Sequence, residues 1–354
     1  MDPVAWDLAE RVAVRVAGRE PFADSYHHDS LVPDFAELTA EAEDLVAEET
    51  GLRSLAGPAR ARVTDRAGWV RANLTAFRRM LLPVTEKLAS RLDEEALSAK
   101  VTRSVAGVEI GTLLGWMSTR VLGQYDLLIV EEEGDADQDF VYYVGPNVLA
   151  IEKRYGFPPR EFRLWLAIHE VTHRAQFTGV PWLRPHFLGL VHQTLDSVEP
   201  DPRRLLEGIR RAVSEVRAGR NPLDEGGLVA LFATDEQLAV IQQIGGMMSL
   251  LEGHGDVTMD RAARHRIPSA PRFSRVLKHR RASGSPGAKL VQQLIGLEAK
   301  LNQYAQGEAF IAAVEAAGGR ALLDTAWEGP DRLPSLAEIR DPRQWIERVG
   351  ERAA

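Results

Sequence analysis

The chain has 354 residues, of which 45% are hydrophobic and 27% charged, and its formal net charge is -8. This is ordinary for a globular protein with a sizeable core, and the negative charge, with basic residues spread along the chain, argues against a nucleic-acid partner. Because there is no cysteine, a metal ion would be held by histidine and carboxylate side chains. We find no signal-peptide core and no apolar run of about 18 residues, so we expect a cytoplasmic protein without a membrane partner.

The N-terminal part of the sequence is predicted to be helical. Apolar residues recur at helical spacing in four segments, which are 4–16, 34–50, 66–80 and 82–98. The Pro-, His- and Asp-rich stretch 20–33 is predicted to be a linker or an ordered loop. Residues 1–60 are predicted to form an N-terminal helical extension packed on a main domain at 61–354. Gly107, Gly111 and Gly115 recur every four residues, which predicts a groove for close helix–helix approach in the core.

A small β-sheet is predicted in the middle of the chain. Its candidate strands are short and rich in Val, Ile, Leu and Tyr, and they are 125–131, 140–144 and 148–152. Further helices are predicted after the sheet, at 160–178, 200–218, 235–252, 288–304 and 343–352. The stretch 264–287 is predicted to be a loop with a short helical piece. The predicted fold class is therefore mainly α (α+β), with a small sheet that precedes the helix at 160–178.

That helix carries the most informative pattern in the chain, His169-Glu170-x-x-His173. At 3.6 residues per turn the two histidines lie on one helix face, so both imidazoles can bind one zinc ion. Glu170 lies beside them, where it can take a proton from a metal-bound water. The alternative is a helix whose histidines only form hydrogen bonds. The pattern predicts the metal site of a zinc hydrolase.

A catalytic zinc ion needs a third protein ligand. A metzincin would have Gly and then His three and six residues after the second histidine, whereas this chain has Gln176 and Gly179, so that class is excluded. We predict Glu252 as the third ligand. The apolar segment Met247–Leu251 delivers this carboxylate at what the pattern indicates is the last turn of a helix, and a metal ion would compensate a charge placed there.

Other polar residues have weaker predicted roles. His254 and His192 are alternatives to Glu252 as the third ligand, and His254 could instead contact the substrate or an oxyanion. Asp256 could orient a ligand imidazole from behind, or it could cap a following helix. Tyr304 could donate a hydrogen bond to a developing oxyanion, although a tyrosine on an apolar seam is more often a core residue.

Several segments of the chain resemble the zincin-like metallopeptidases, a family once catalogued as a domain of unknown function and often labelled as hydrolases. The segments are 122–126, 145–147, 162–177, 249–254 and 296–310. The resemblance implies a mostly helical zincin-like fold, a zinc ion at His169 and His173, and Glu170 as the catalytic base. One branch of the family, of similar length, is labelled as associated with biosynthesis of a deazaflavin coenzyme. The resemblance implies no particular substrate.

The sequence therefore predicts a zinc-dependent hydrolase, and a metallopeptidase before other kinds. Zinc-activated water would attack an amide carbonyl of a peptide or small amide, with Glu170 as general base. In many zinc peptidases an edge strand holds the extended substrate, and the predicted sheet fits that arrangement. One alternative is a metal-binding small-molecule hydrolase, or a non-proteolytic accessory protein of deazaflavin coenzyme metabolism. Another is an interaction protein with a structural metal site, which would not need Glu170. The oligomeric state is not predicted.

Overall fold

The structure is a computed structural model, and it describes residues 2–22, 25–89, 97–125, 139–196, 234–264, 266–282 and 297–353. It is mostly helical with one small sheet, so the predicted mainly α (α+β) class is confirmed. The chain divides into two compact units, Met1–Gly179 with Arg261–Ala270, and Val180–Asp260 with Pro271–Ala354. The proposed extension at 1–60 stays a prediction. Within the described ranges, no helix combines the length and apolar character that spanning a bilayer requires.

Up to Gly179 the helices are α1 (Trp6–Ala17), α2 (Tyr26–Asp29), α3 (Leu31–Thr50), α4 (Arg66–Met80), α5 (Leu82–Ala89), α6 (Leu97–Ser118), α7 (Gly145–Tyr155) and α8 (Pro159–Gly179). The strands are β1 (Arg60–Thr64), β2 (Gly123–Tyr125) and β3 (Phe140–Val144). The remaining helices are α9 (Leu183–Asp196), α10 (Asp235–Ala262), α11 (Ala270–Ala282), α12 (Leu297–Asp324), α13 (Leu336–Arg340) and α14 (Pro342–Ala353). Short 3₁₀ turns at Thr325–Trp327 and Pro330–Arg332 follow α12.

The three strands form one sheet in the order β1-β3-β2. β1 runs parallel to β3, whereas β2 runs antiparallel to it with Gly123 opposite Tyr143. The predicted strand 140–144 is confirmed, and most of the predicted strand 125–131 lies outside the described residues. The predicted strand 148–152 is wrong, because it belongs to α7. Pro146 lies in the first turn of that helix, where a missing N–H costs nothing, so Gly145 to Asn147 start a helix.

The glycine-lined groove on α6 is confirmed, and α1 packs into it. A methyl group added at Gly111 would lie 2.4 Å from the carbonyl oxygen of Ala9, and one added at Gly115 would lie 2.4 Å from that of Ala13. The two backbones therefore touch, as the spacing of the glycines predicted. The same unit has a core cluster on α4 and α6 that includes Trp69.

α8 is fixed against α3 by two arginines that are almost fully buried. Arg163 forms ion pairs with Asp34 of α3 and with Glu152 of α7. Arg174 bonds Glu43 of α3 at 2.8 Å and the carboxylate of Asp139 at 2.6 Å. Buried ion pairs of this kind specify geometry more than they stabilise it. The orientation of α8 about its own axis is therefore defined on both sides of its histidines.

In the second unit, α10 and α12 approach each other through Gly253 and Gly307. A methyl group on Gly253 would lie 2.4 Å from the carbonyl carbon of Gly307. The sequence pattern indicates a helix end at Gly253, but α10 continues past this residue to Ala262. This corrects the predicted place of Glu252, which lies within α10 and not in its last turn. Leu250 and Phe310 belong to the adjoining core cluster.

Two other predicted segments are more helical than expected. Most of the predicted loop 264–287 is helix, because α11 occupies Ala270–Ala282. Residues 288–296 of the helix predicted at 288–304 lie outside the described residues, and the rest belongs to α12, which continues to Asp324 with a break at Gly319, where φ is 68°. The predicted helix 200–218 lies outside the described residues. The short helix predicted at 343–352 is confirmed as α14.

Candidate metal centre

α8 is a core helix in which one narrow stripe is accessible. Its first residue is Pro159, which suits a helix start, and residues such as Trp165 and Ile168 are buried. His169 and His173 are only half-buried. The helix ends at Gly179, where a side chain would collide with the carbonyl oxygen of Arg53. The buried faces therefore hold the helix in place, and the two imidazoles occupy the accessible stripe.

The two imidazoles present the same ring atom to one point. Nε2 of His169 lies 3.2 Å from Nε2 of His173, and the ring planes are inclined at 83°. Zinc binds histidine nitrogen at about 2.0–2.1 Å, so two nitrogens on a tetrahedral zinc ion are about 3.3–3.4 Å apart. The observed separation agrees with this value within about 0.2 Å. The pair fits a shared zinc ion, as the sequence pattern predicted.

Gln176 orients one of these imidazoles. Its side-chain oxygen Oε1 lies 3.0 Å from Nδ1 of His173, and Gln176 is fully buried. An amide oxygen can only accept, so Nδ1 of His173 carries the proton and Nε2 keeps its lone pair for a metal ion. The sequence had indicated Gln176 only as a departure from the metzincin pattern. Its spacing of three residues from His173 could have identified it, because such residues are neighbours on a helix.

Glu170 is buried beside the imidazoles and lies against β2. Its Oε2 accepts a hydrogen bond of 3.1 Å from the main-chain N–H of Tyr125. A methyl group on Gly123 would lie 2.7 Å from Cγ of Glu170 and 2.8 Å from Oε1, so the carboxylate takes the space of the missing side chain. Burial raises the pKa of the nearby Tyr143 hydroxyl, and the charge of Glu170 raises it further, so this tyrosine is neutral.

Glu252 is buried within α10 of the second unit. Its role as the third metal ligand stays a prediction. Two histidines and one carboxylate form a donor set that catalytic zinc ions use.

The other candidate residues are placed as follows. His254 is buried in α10 with its ring edge-on to Trp327 at 5.2 Å, and it lies about 200° around the helix from Glu252. Asp256 is also buried inside α10, so the alternative of a helix cap is wrong, whereas its spacing of four residues puts it on the same face as Glu252. His192 is exposed on α9. Tyr304 lies in α12, and its side chain is outside the described part. Their roles stay predictions.

A helical fold with a small sheet, and a helix that presents two imidazoles and a carboxylate beside that sheet, define a zincin-like protein. The family model described as zincin-like metallopeptidase matches residues 4–346, and the chain belongs to this family. A solved structure from Chloroflexus aurantiacus, described as that of a "putative hydrolase with a novel fold", is 30% identical. The match covers 98% of this chain and 99% of that one, with a TM-score of 0.72. No curated protein matches the chain. The family and this relative indicate a hydrolase of the metallopeptidase type.

Proposed function

We propose that the protein is a zinc-dependent metallopeptidase. The observation that carries the proposal is the 3.2 Å separation of the two Nε2 atoms, with the buried carboxylate of Glu170 on the adjacent residue. In this proposal His169, His173 and Glu252 hold the zinc ion. A zinc ion bound there would polarise a carbonyl oxygen and lower the pKa of a bound water to about 7.

Glu170 has the position and the surroundings of a general base. The N–H of Tyr125 holds Oε2, and we assign proton transfer to Oε1. The carboxylate would accept a proton from the attacking water and deliver it to the leaving amine, which keeps the proton count balanced over the cycle. Because Glu170 is buried and its rotamer is held by β2, little reorganisation is needed when that proton moves.

The sheet beside Glu170 supports a peptide substrate in preference to a small amide. β2 is an edge strand of the described sheet. Val144 donates its N–H to the carbonyl of Leu122, so in the alternation of an antiparallel pair Leu122 and Gln124 direct their main-chain groups to β3. Gly123 and Tyr125 therefore direct theirs to the opposite edge. The N–H of Tyr125 already bonds Glu170, so an extended peptide could add to this edge through the main-chain groups of Gly123, next to the proposed base.

The test uses the purified full chain loaded with zinc. Zinc content is measured by mass spectrometry, and cleavage of a peptide library is measured for the wild type, Glu170→Gln and Glu161→Gln. Glu161 is a matched control, because it is a carboxylate on α8 that bonds the main-chain N–H of Ser269. We expect one zinc ion per chain in all three proteins, and a kcat/KM about 10²–10⁴-fold lower in Glu170→Gln alone.

Three results would contradict the proposal. If the zinc-loaded wild type turns over peptides and small amides no faster than Glu170→Gln, the protein is not a hydrolase of this kind. If small amides are turned over but no peptide is cleaved, the assignment of Glu170 as base stands, whereas the assignment as a peptidase is wrong. If Glu170→Gln cleaves peptides as fast as Glu161→Gln, the assignment of Glu170 is wrong.

A further inference from the structure

β2 is described over three residues, Gly123–Tyr125, and the side chain of Gln124 fixes it to α4. The indole Nε1 of Trp69 donates to Oε1 of Gln124 at 2.8 Å, and Nε2 of Gln124 donates to Oδ1 of Asn73 at 3.2 Å. Asn73 then donates from Nδ2 to the carbonyl oxygen of Trp69 at 2.9 Å. Trp69 and Asn73 are buried and one turn apart on α4. The three residues form a closed ring of hydrogen bonds.

The direction of these hydrogen bonds is determined by Trp69. An indole nitrogen can only donate, so the group of Gln124 that faces it must be the oxygen. The amide nitrogen of Gln124 then faces Asn73, which must present its own oxygen and use its nitrogen on the carbonyl of Trp69. Each amide has one consistent orientation, so the ring holds β2 in a single position. Trp69 and Asn73 are buried, so the loss of one bond would leave a buried polar group unsatisfied.

The two faces of β2 contact different parts of the protein. Side chains alternate along a strand, so Gln124 points to one face while Gly123 and Tyr125 point to the other. The first face is tied to α4 by Gln124. On the second face the main chain of Gly123 lies against the carboxylate of Glu170, and the N–H of Tyr125 bonds its Oε2 at 3.1 Å. A shift of β2 toward or away from α4 would therefore change the position of Glu170.

The segment before β2 is fixed in a similar way by α7. Asn147 is buried, and its Nδ2 donates to the carbonyl oxygens of Ser118 and Val121, each at 2.7 Å. Its Oδ1 accepts from Nε of Arg66 at 2.8 Å. Asn147 therefore holds the main chain that leads into β2.

We propose that Gln124 is a positioning residue for Glu170, which it holds in place through the main chain of β2. Gly123 leaves the room for the carboxylate, and Tyr125 supplies the N–H that holds it. The placement follows from the contacts alone, whereas its consequence for turnover rests on the proposed function. Replacing Gln124 by Met keeps the length of the side chain and removes both of its hydrogen bonds, so β2 loses its tie to α4.

The first test measures hydrogen exchange of the Tyr125 amide by NMR in the full chain. Gln124→Met should lower the protection of this amide by about tenfold or more, and Glu170→Ala, which removes the acceptor, should lower it as well. Thr50→Val is the control, because it removes a buried hydroxyl that bonds the carbonyl of Val46 in α3. It should leave Tyr125 protected. Unchanged protection in Gln124→Met would overturn the proposal whether or not the protein is an enzyme.

Gln124→Glu serves as a second variant in case the Met variant does not fold. Its carboxylate still accepts from Trp69 but loses the bond to Asn73, so we expect a protection of Tyr125 between those of the wild type and Gln124→Met. Wild-type protection of Tyr125 in a folded Gln124→Glu would overturn the proposal. A loss of protection in Thr50→Val as large as in the Gln124 variants would also overturn it, because protection would then follow general stability.

The second test is kinetic and uses a double-mutant cycle. A misplacement of about 1 Å costs on the order of 10²-fold in rate, so Gln124→Met should lower kcat by up to about 10²-fold with KM and zinc affinity unchanged. In the Glu170→Gln background the same substitution should have no further effect, because both act through one group. Equal losses in both backgrounds would contradict the positioning role, whereas an active Glu170→Gln would contradict the proposed function.

Discussion

Replacing Gln176 by Leu tests how the metal site is held ready to bind. The oxygen of this buried amide lies 3.0 Å from Nδ1 of His173, a normal length for an N–H···O bond. A neutral hydrogen bond of this kind contributes about 0.5–1.5 kcal/mol, and one to a charged group contributes about 1.5–3 kcal/mol. A metal-bound imidazole carries part of the ion's charge, so the upper range applies. Since each 1.4 kcal/mol is about tenfold, zinc affinity should fall by about 10–100-fold, the usual cost of losing such a partner.

The assay is a competition for zinc between the protein and a chromophoric chelator at fixed pH and ionic strength. Gln176→Glu is the matched control, since it keeps an oxygen acceptor for His173 and should bind zinc at least as tightly as the wild type. His173→Ala should lose far more affinity than Gln176→Leu, because it removes a ligand outright. A folded Gln176→Leu protein whose zinc affinity is within about twofold of the wild type would refute the reasoning.

Three further predictions concern stability, measured by urea unfolding. Gly111→Ala should lower the free energy of unfolding by about 1–3 kcal/mol, because its methyl group meets the backbone of α1, whereas Gly350→Ala, with open space around it, should not lower it. Arg174→Met should cost about 1.5–3 kcal/mol, because the half-buried carboxylates of Glu43 and Asp139 lose charge-assisted hydrogen bonds, and the exposed Arg71→Met less than about 1 kcal/mol. Burial raises the pKa of Glu338, but hydrogen bonds from Arg348 and Ser335 outweigh this effect and hold the pKa below its usual value. The ionised Glu338 therefore stabilises the fold at pH values above its pKa in the unfolded state, and this stabilisation is lost as the pH falls through its pKa in the folded state. In Glu338→Gln the free energy of unfolding should decrease less steeply as the pH is lowered.

Features that depend on spacing along one helix could be predicted from the sequence. His169 and His173 fall on one face because the helix repeats every 3.6 residues, and no knowledge of the rest of the fold is needed. The glycines of α6 were predicted for the same reason. The prediction of Glu252 as the third ligand rests partly on a wrong premise. It places a helix end at Gly253, although α10 continues past this residue.

Features that depend on partners distant in sequence could not be predicted. β1 was missed because Arg60 and Arg62 weaken its apolar pattern, and its pairing with β3 joins residues about eighty positions apart. The ring around Gln124 was missed for a related reason, because its partners lie on α4, about fifty residues earlier. A glutamine carries no signal of its own chemistry. Only its position between the indole N–H of Trp69 and the side-chain oxygen of Asn73 shows what it holds.

The measurement that tests the account most directly is anomalous diffraction at the zinc absorption edge from crystals of the zinc-loaded protein. The account predicts one strong peak about 2.0–2.2 Å from Nε2 of His169, Nε2 of His173 and a carboxylate oxygen of Glu252. It also predicts that Glu170 stays outside the coordination sphere, with Oε2 still bonded to the N–H of Tyr125. A peak held by other residues, direct coordination by Glu170, or no peak at the two histidines in protein that contains zinc would contradict it.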